Sequence, residues 1–216
     1  KKVYELPEGT RTSKGKPFVN VIELQDGEEV VSMLPLKEFS AERFVFLATE
    51  SGTVKKTELT AFEKIRVTGI RAISLDDTDR LVSVSITSAN HDVLLTSAKG
   101  LAVRFRDDKV RAMGRDAGGV RGMKLGAGDR LVGMVAFERD SGVTLITVCA
   151  RGYGKRTTLA DYPTKNRGGK SVIIRPKQHF DRVALFRAFG RFIDDLRGHY
   201  ITAEDSGTGL EDMEVI

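Results

Sequence analysis

The feature that most constrains this chain is that it repeats itself. The stretch 92–134 reads DVLLTSAKGLAVRFRDDKVRAMGRDAGGVRGMKLGAGDRLVGM, an apolar run, a glycine turn, a basic strand, a basic loop and another strand, before Asp-Arg-Leu-Val enters a last apolar run. The same order appears earlier as FVFLATESGTVKKT, GIRAISL and DRLVSV, and later as LITVCARGYGKRT and GGKSVII. Turn glycines fall at Gly52, Gly100 and Gly152, where a tight hairpin demands positive φ, and the later strand starts at Gly69, Gly119 and Gly169. A period of about 50 residues with four short strands per unit is the pattern of propeller-like arrays, whose units cannot bury their faces alone. The expected fold is mainly β, propeller-like repeats of four-stranded blades followed by a short α/β tail.

The period divides the chain. Residues 1–27 read as the end of a preceding blade: LPEGTRTSKGKPF is turn-rich, and FVNVIEL alternates as a half-buried strand does. Three repeats follow at about 28–78, 79–128 and 129–175, the first opening with EEVVSMLPL. Past Arg175-Pro176 the apolar period changes from two to 3.6. Leu185, Phe186, Phe189, Phe192, Ile193 and Leu196 fall at helical spacing, Gly198 is a C-terminal stop, and HYITA reads as a short strand, so 176–216 form a separate tail.

Charge follows the same division. The chain has 216 residues, 40% hydrophobic and 30% charged, with a net charge of +5. Residues 1–175 hold 30 Lys and Arg against 22 Asp and Glu, and residues 176–216 hold 5 against 8. A basic body with an acidic end fits the first part to a polyanion. No apolar run approaches the roughly 20 residues of a membrane helix, and KKVYELPEGT has no signal-peptide core. The lone Cys149, inside an apolar run, reads as a buried structural thiol and fits a reducing cytoplasm.

Basic residues recur at matching places. Lys55 and Lys56, Arg104 and Arg106, and Lys155 and Arg156 follow the three hairpin turns. The loops beyond add Lys64 and Arg66, then Lys109, Arg111, Arg115 and Arg121, then Lys165, Arg167 and Lys170. In a radial array, equivalent loops lie side by side, so these cations are expected to form a curved track that attracts phosphates without reading sequence. The glycine-rich loops AGGVRG and NRGGK are expected to bring backbone N–H groups close to phosphate oxygens. Such a convex rim bends a duplex along it.

Other strings fail as sites. A P-loop needs a glycine five residues before the Gly-Lys glycine, and GYGKRT and RGGKS have Cys149 and Thr164 there. Asp76, Asp77 and Asp79 read as a solvated turn rather than a metal site, and His91, His179 and His199 form no ligand spacing. No catalytic triad is readable.

VYELPEGTR, ATESGTVKKT, VRAMGRDAGGVRGMKLGAGD and GYGKRTTLADYPTKNRGGK closely resemble the C-terminal domain of the bacterial DNA gyrase A family, over about residues 1–172. The resemblance implies a β-pinwheel, a disc of four-stranded blades that wraps double-stranded DNA around its rim and supports ATP-dependent negative supercoiling by a type IIA topoisomerase. The family's signature box, Gln-Arg-Arg-Gly-Gly-Lys-Gly in its first blade, is absent here, and a box-like Arg167-Gly168-Gly169-Lys170-Ser171 lies in the third copy. About three blades stand where the family's disc has about six. The chain is then expected to be non-catalytic, to hold no cofactor or metal of its own, and to be cytoplasmic and nucleoid-associated, away from membranes. The active-site tyrosine, ATP and magnesium belong to other parts of the enzyme, and the implied partners are the strand-passage core of gyrase A and, through it, gyrase B. The related C-terminal domain of topoisomerase IV, a propeller-like protein-interaction module and an inactive amino-acid dehydrogenase fragment are the alternatives.

The end is similar to something else. From Gly-Gly-Lys onward, ALFRAFGRFIDDLRGHYITAEDSGTGLEDME resembles the substrate domain of leucine/phenylalanine/glutamate-type amino-acid dehydrogenases. That likeness would carry their catalytic lysine onto Lys170 and their aspartate onto Asp205, as an inactive fragment without a nicotinamide-binding domain. The chain thus reads as a fusion across a shared Gly-Gly-Lys.

Overall fold

In the computed structural model, the described residues are 2–17, 20–24, 27–64, 69–148, 154–169 and 172–173. Cys149, Arg66, Lys170, Asp205, the turn at Gly152 and the whole tail expected over 176–216 lie outside them.

Among the described residues, ten strands form three antiparallel sheets. The first joins β1 (Arg43–Thr49), β2 (Thr53–Glu58), β3 (Leu81–Ser88) and β6 (Val120–Arg121) in the order β3-β1-β2-β6. The second joins β4 (His91–Ser97), β5 (Leu101–Arg106), β7 (Leu131–Glu138) and β10 (Val172–Ile173) in the order β10-β5-β4-β7. The third is the hairpin β8 (Thr144–Val148) and β9 (Gly154–Thr158). Each β2-like strand ends in a short 3-10 turn, at Leu59–Phe62, Asp107–Lys109 and Leu159–Asp161.

Gly52 and Gly100 have φ of 85° and 79°, as the hairpin turns require. Across β1 and β2, Phe46 faces Lys56 and Leu47 faces Lys55; across β4 and β5, Leu94 faces Arg104 and Leu95 faces Val103. Phe46 and Leu47 point to opposite faces and both are buried, so the first sheet is covered on both sides. Phe46, Ala48 and Val54 of the first sheet meet Val93, Leu95, Val103 and Phe105 of the second, with the Phe46 and Phe105 rings 6.4 Å apart. Leu94 and Ala102, on the reverse of the second sheet, pack with Leu145 of the third and with Tyr162, just past the 3-10 turn that follows β9. The sheets therefore stack face on face in chain order, and burial of each large apolar side chain contributes roughly 1.5–3 kcal/mol.

The sheets are not made of consecutive residues. β6 lies in the second repeat yet pairs with β2 of the first, through Thr53 with Arg121 and Val54 with Val120. β10 lies in the third repeat and pairs with β5 of the second, through Ala102 with Val172. Strand β3, counted from residue 79 onward with the second unit in the sequence reading, hydrogen-bonds to β1 and closes the first sheet.

Before Arg43 the described residues contain no strand. Residues 20–24 of FVNVIEL and all of EEVVSMLPL carry no strand, which corrects the alternation read from sequence; the first two residues of FVNVIEL lie outside the described residues. Instead Asn20 N–H donates to the Pro17 carbonyl at 3.1 Å in a tight turn.

Candidate nucleic-acid interface

Three cations that follow the first two turns, Lys55, Lys56 and Arg104, are structural. Lys55 is 0% exposed, and its ammonium donates to the carbonyls of Ala72 (2.7 Å) and Arg115. Burial pushes its pKa down, against the attraction of Asp116 and with the repulsion of Arg115. Lys56 is 6% exposed; its Nζ lies 2.5 Å from Asp107 Oδ1, 3.3 Å from the Asp107 carbonyl and 4.5 Å from the Phe44 ring centroid. Thr87 Oγ1 donates to the other carboxylate oxygen of Asp107 at 2.7 Å. Arg104 donates to Asp92 Oδ2 at 2.8 Å and to the carbonyls of Leu159 (2.9 Å) and Tyr162 (3.3 Å). Arg139 takes the other Asp92 oxygen at 3.0 Å.

Lys55, Lys56 and Arg104 therefore leave the expected phosphate track, because their charged ends already face acceptors inside the fold. Two of them hold matching places. Lys56 and Arg104 each stand four residues after a turn glycine, and each reaches forward to the 3-10 turn of the next unit. Backbone bonds follow them: Met113 N–H to the Lys56 carbonyl and Lys165 N–H to the Arg104 carbonyl, both at 2.8 Å. The recurrence of a basic residue there is a signature of how the units are fastened together.

The glycine-rich loops also differ from expectation. Gly119 has φ of 97°, and a Cβ there would sit 2.6 Å from the Val54 carbonyl oxygen. At Gly122 a Cβ would lie 2.5 Å from Val54 Cγ1. These glycines let the second unit cross closely onto the first and deliver β6. Gly122 N–H donates to the Gly52 carbonyl and Gly168 N–H to the Gly122 carbonyl, both at 2.8 Å, and Gly169 N–H donates to the Asn166 carbonyl at 2.9 Å. Those N–H groups are occupied by the protein and do not cradle phosphate.

What remains outward is the crossing loop itself. Lys109, Arg111 and Arg121 are exposed, and their side chains make no hydrogen bond or ion pair with the described residues. Arg167, half-buried, donates to the carbonyls of Lys109 (3.3 Å) and Arg121 (2.5 Å), so the third unit's loop lies against that of the second and brings these residues together. Arg115 and Lys165 are half-buried beside this seam, and Lys124, exposed three residues past Arg121, was missed because it falls outside the post-turn spacing. Elsewhere, Arg106 pairs with Asp108 on the surface, Lys64 is exposed beyond the first 3-10 turn, and on β9 Lys155 is half-buried and Arg156 exposed.

A repeated acidic clamp supports the hairpins. Asp79 accepts from Ser51 N–H (2.9 Å), Ser51 Oγ (2.6 Å) and Arg80 N–H (2.9 Å). Asp129 accepts from Lys99 N–H (3.0 Å) and Arg130 N–H (2.9 Å). Burial raises both carboxyls, but the hydrogen bonds, and for Asp129 the Lys99 charge, outweigh it and hold each below the ordinary range. Asp79, read from sequence as part of a solvated turn, is thus a built-in tie. Among the described residues no cluster of His, Cys, Asp or Glu could hold a metal, and no helix is long and apolar enough to cross a membrane.

Face-stacked antiparallel sheets, the first two each completed by a strand from the following repeat, define a strand-exchanged propeller-like array. The family described as "DNA gyrase C-terminal domain, beta-propeller" matches residues 2–37, 43–88, 91–138 and 144–177, and the chain belongs to it. It is 47% identical over 172 residues to the DNA gyrase A protein of Escherichia coli (strain K12), covering 80% of this chain and 19% of that protein. The DNA gyrase A protein of Haloquadratum walsbyi is 40% identical over 176 residues, covering 80% of this chain and 21% of that protein. The chain thus spans about a fifth of the length of the curated relatives it matches. Among solved structures, a DNA gyrase A C-terminal domain aligns with TM-score 0.64 at 31% identity, covering 72% of this chain and 51% of that one. The C-terminal domain of a DNA topoisomerase IV aligns with TM-score 0.71 at 27% identity, covering 79% and 53%.

Proposed function

We propose that this chain binds duplex DNA without sequence preference and bends it, as the accessory C-terminal part of a gyrase-type topoisomerase. The observation that carries this reading is the exposed set Lys109, Arg111, Arg121 and Lys124 on the crossing loop, unpaired among the described residues, within a chain of this family. Four cations without internal acceptors attract phosphate oxygens and release counterions on contact. Because the crossing loop runs from one sheet to the next, the charged path follows the stack, and a duplex on it would curve. Lys64, Arg106 and Arg156 extend the path by their exposure, and the half-buried Lys155 and Lys165, with Arg66 and Lys170, belong to it by sequence alone.

The gyrase rather than the topoisomerase IV assignment is supported by identities of 47% and 40% to gyrase A proteins. In this reading DNA cleavage, ATP and magnesium belong to other parts of the enzyme. The partners are the strand-passage core of gyrase A and, through it, gyrase B, in the cytoplasm. Residues 176–216 are read as a dehydrogenase-type fragment with no activity, on their resemblance alone. Absence of nicotinamide-cofactor binding to the chain is the expected result.

The testing experiment is duplex binding and bend angle across a salt series. Tight binding that weakens steeply with salt, with a bend, is expected; a shallow salt dependence with no DNA retained would overturn the reading in favour of a protein-interaction module.

A further inference from the structure

The loop that carries the outward cations is itself held by inward ones. Val110 and Met113 seat it on the first core, and Met113 N–H donates to the Lys56 carbonyl at 2.8 Å. Away from those anchors, the loop carbonyls that accept from cationic side chains are those of Lys109, Arg115 and Arg121. Arg167 Nε donates to the Lys109 carbonyl at 3.3 Å and its Nη1 to that of Arg121 at 2.5 Å, while Lys55 Nζ donates to that of Arg115. Each of the three residues thus gives its carbonyl to a cation of the fold and carries a cation of its own, exposed at Lys109 and Arg121 and half-buried at Arg115.

The two donors act differently. Lys55 is buried in β2 beneath the middle of the loop. Arg167 comes from the third unit and bridges the two ends, since Lys109 closes the 3-10 turn and Arg121 lies in β6. A guanidinium suits that bridge, because its donors point in fixed directions from one plane, whereas an ammonium is a point charge on a flexible stem. The base of the bridge is fixed as well: Gly168 N–H, next in the chain, donates to the Gly122 carbonyl at 2.8 Å.

We propose that Arg167 is a positioning residue for DNA: it braces the loop so that Lys109, Arg111, Arg121 and Lys124 keep one arrangement, and it carries no phosphate itself. The proposal rests on the DNA-binding reading above. Cations held in place meet a duplex without the ordering cost that a free loop would add. A loop released at its ends holds the binding arrangement for only part of the time, and apparent affinity falls by that fraction. The third unit thereby sets the geometry of a charged surface that belongs to the second.

The test compares Arg167→Lys and Arg167→Gln with the unaltered 216-residue chain. Duplex binding across a salt series and the bend angle are read with DNA, and amide hydrogen exchange of residues 109–121 without it. Both variants should bind about tenfold more weakly and bend the duplex less, with the slope of log affinity against log salt unchanged. Exchange should quicken in the loop alone. A direct phosphate contact would instead be rescued by Lys and would cost the Gln variant about one unit of slope, which overturns the proposal. So does loop exchange that stays unchanged, or exchange that rises throughout the fold with a lower melting temperature, the mark of a general structural role. An unaltered chain that binds no duplex defeats the DNA reading and the proposal with it, whereas unchanged loop exchange in a chain that binds DNA defeats the brace alone.

Discussion

Lys56 Nζ and Asp107 Oδ1 lie 2.5 Å apart between the first and second sheets, with side chains 8% and 0% exposed. The pair joins residues 51 positions apart, and Thr87 and the Phe44 ring complete its surroundings. Removing one partner strands a buried charge, which costs about 3–5 kcal/mol, whereas replacing both with apolar side chains costs much less. Urea unfolding of Lys56→Ala, Asp107→Ala and a Lys56→Met/Asp107→Leu double variant should show that the double is more stable than either single. A double that loses the sum of the singles would refute the buried-pair account.

The structural and outward cations separate in a second experiment. Lys109→Ala, Arg111→Ala, Arg121→Ala and Lys124→Ala together should lower the slope of log affinity for DNA against log salt by about 4, roughly 1 per phosphate contact. Their melting temperature should stay unchanged. Arg104→Met should do the reverse, lowering the melting temperature because Asp92 loses one of its two arginine partners and the carbonyls of Leu159 and Tyr162 lose their side-chain donor. Equal effects of both sets on both readouts would remove the distinction.

Gly122→Ala should destabilise the protein by about 1–3 kcal/mol, the usual cost of overpacking. Its new Cβ would meet Val54 Cγ1 at 2.5 Å and Leu95 Cδ1 at 2.9 Å, which pushes β6 away from β2. Gly126→Ala, with open space around it, is the control and should be near neutral in the same denaturant titration.

Asp79 and Asp129 predict an acid-sensitive fold. Their folded carboxyls titrate below the unfolded value of about 3.9, so their stabilisation is complete above that pH and is lost as pH falls through the lower, folded value. Thermal melts from neutral pH downward should show a limb in that acid range. The Asp79→Asn/Asp129→Asn variant should start less stable at neutral pH and lose less on acidification; an unchanged limb would mean that other carboxyls control it.

The legible part of this architecture was the part with a local signal. The turn glycines at 52 and 100 and the apolar runs around Phe46 and Leu94 mark β1, β2, β4 and β5 directly. β6 and β10 are two residues long, too short for alternation to reveal which sheet they join, and their exchange followed only from the hydrogen bonds. Spacing found the recurrent cations but not their direction. In Lys55-Lys56 adjacent side chains point to opposite faces of a strand, and because neighbours cover both faces, both ammonium groups are inside. The exposed cations of the crossing loop have no such covering sheet.

The borrowed edge strand also sets an order on how the chain can be made. A ribosome that has delivered residues 43–88 has supplied three strands of the first sheet, but Val120 and Arg121 are still to come. By the time they arrive, β4 and β5 have appeared and are themselves waiting for Val172 and Ile173. Each of these two sheets therefore spends part of synthesis with an unpaired edge, and finishing one depends on starting the next.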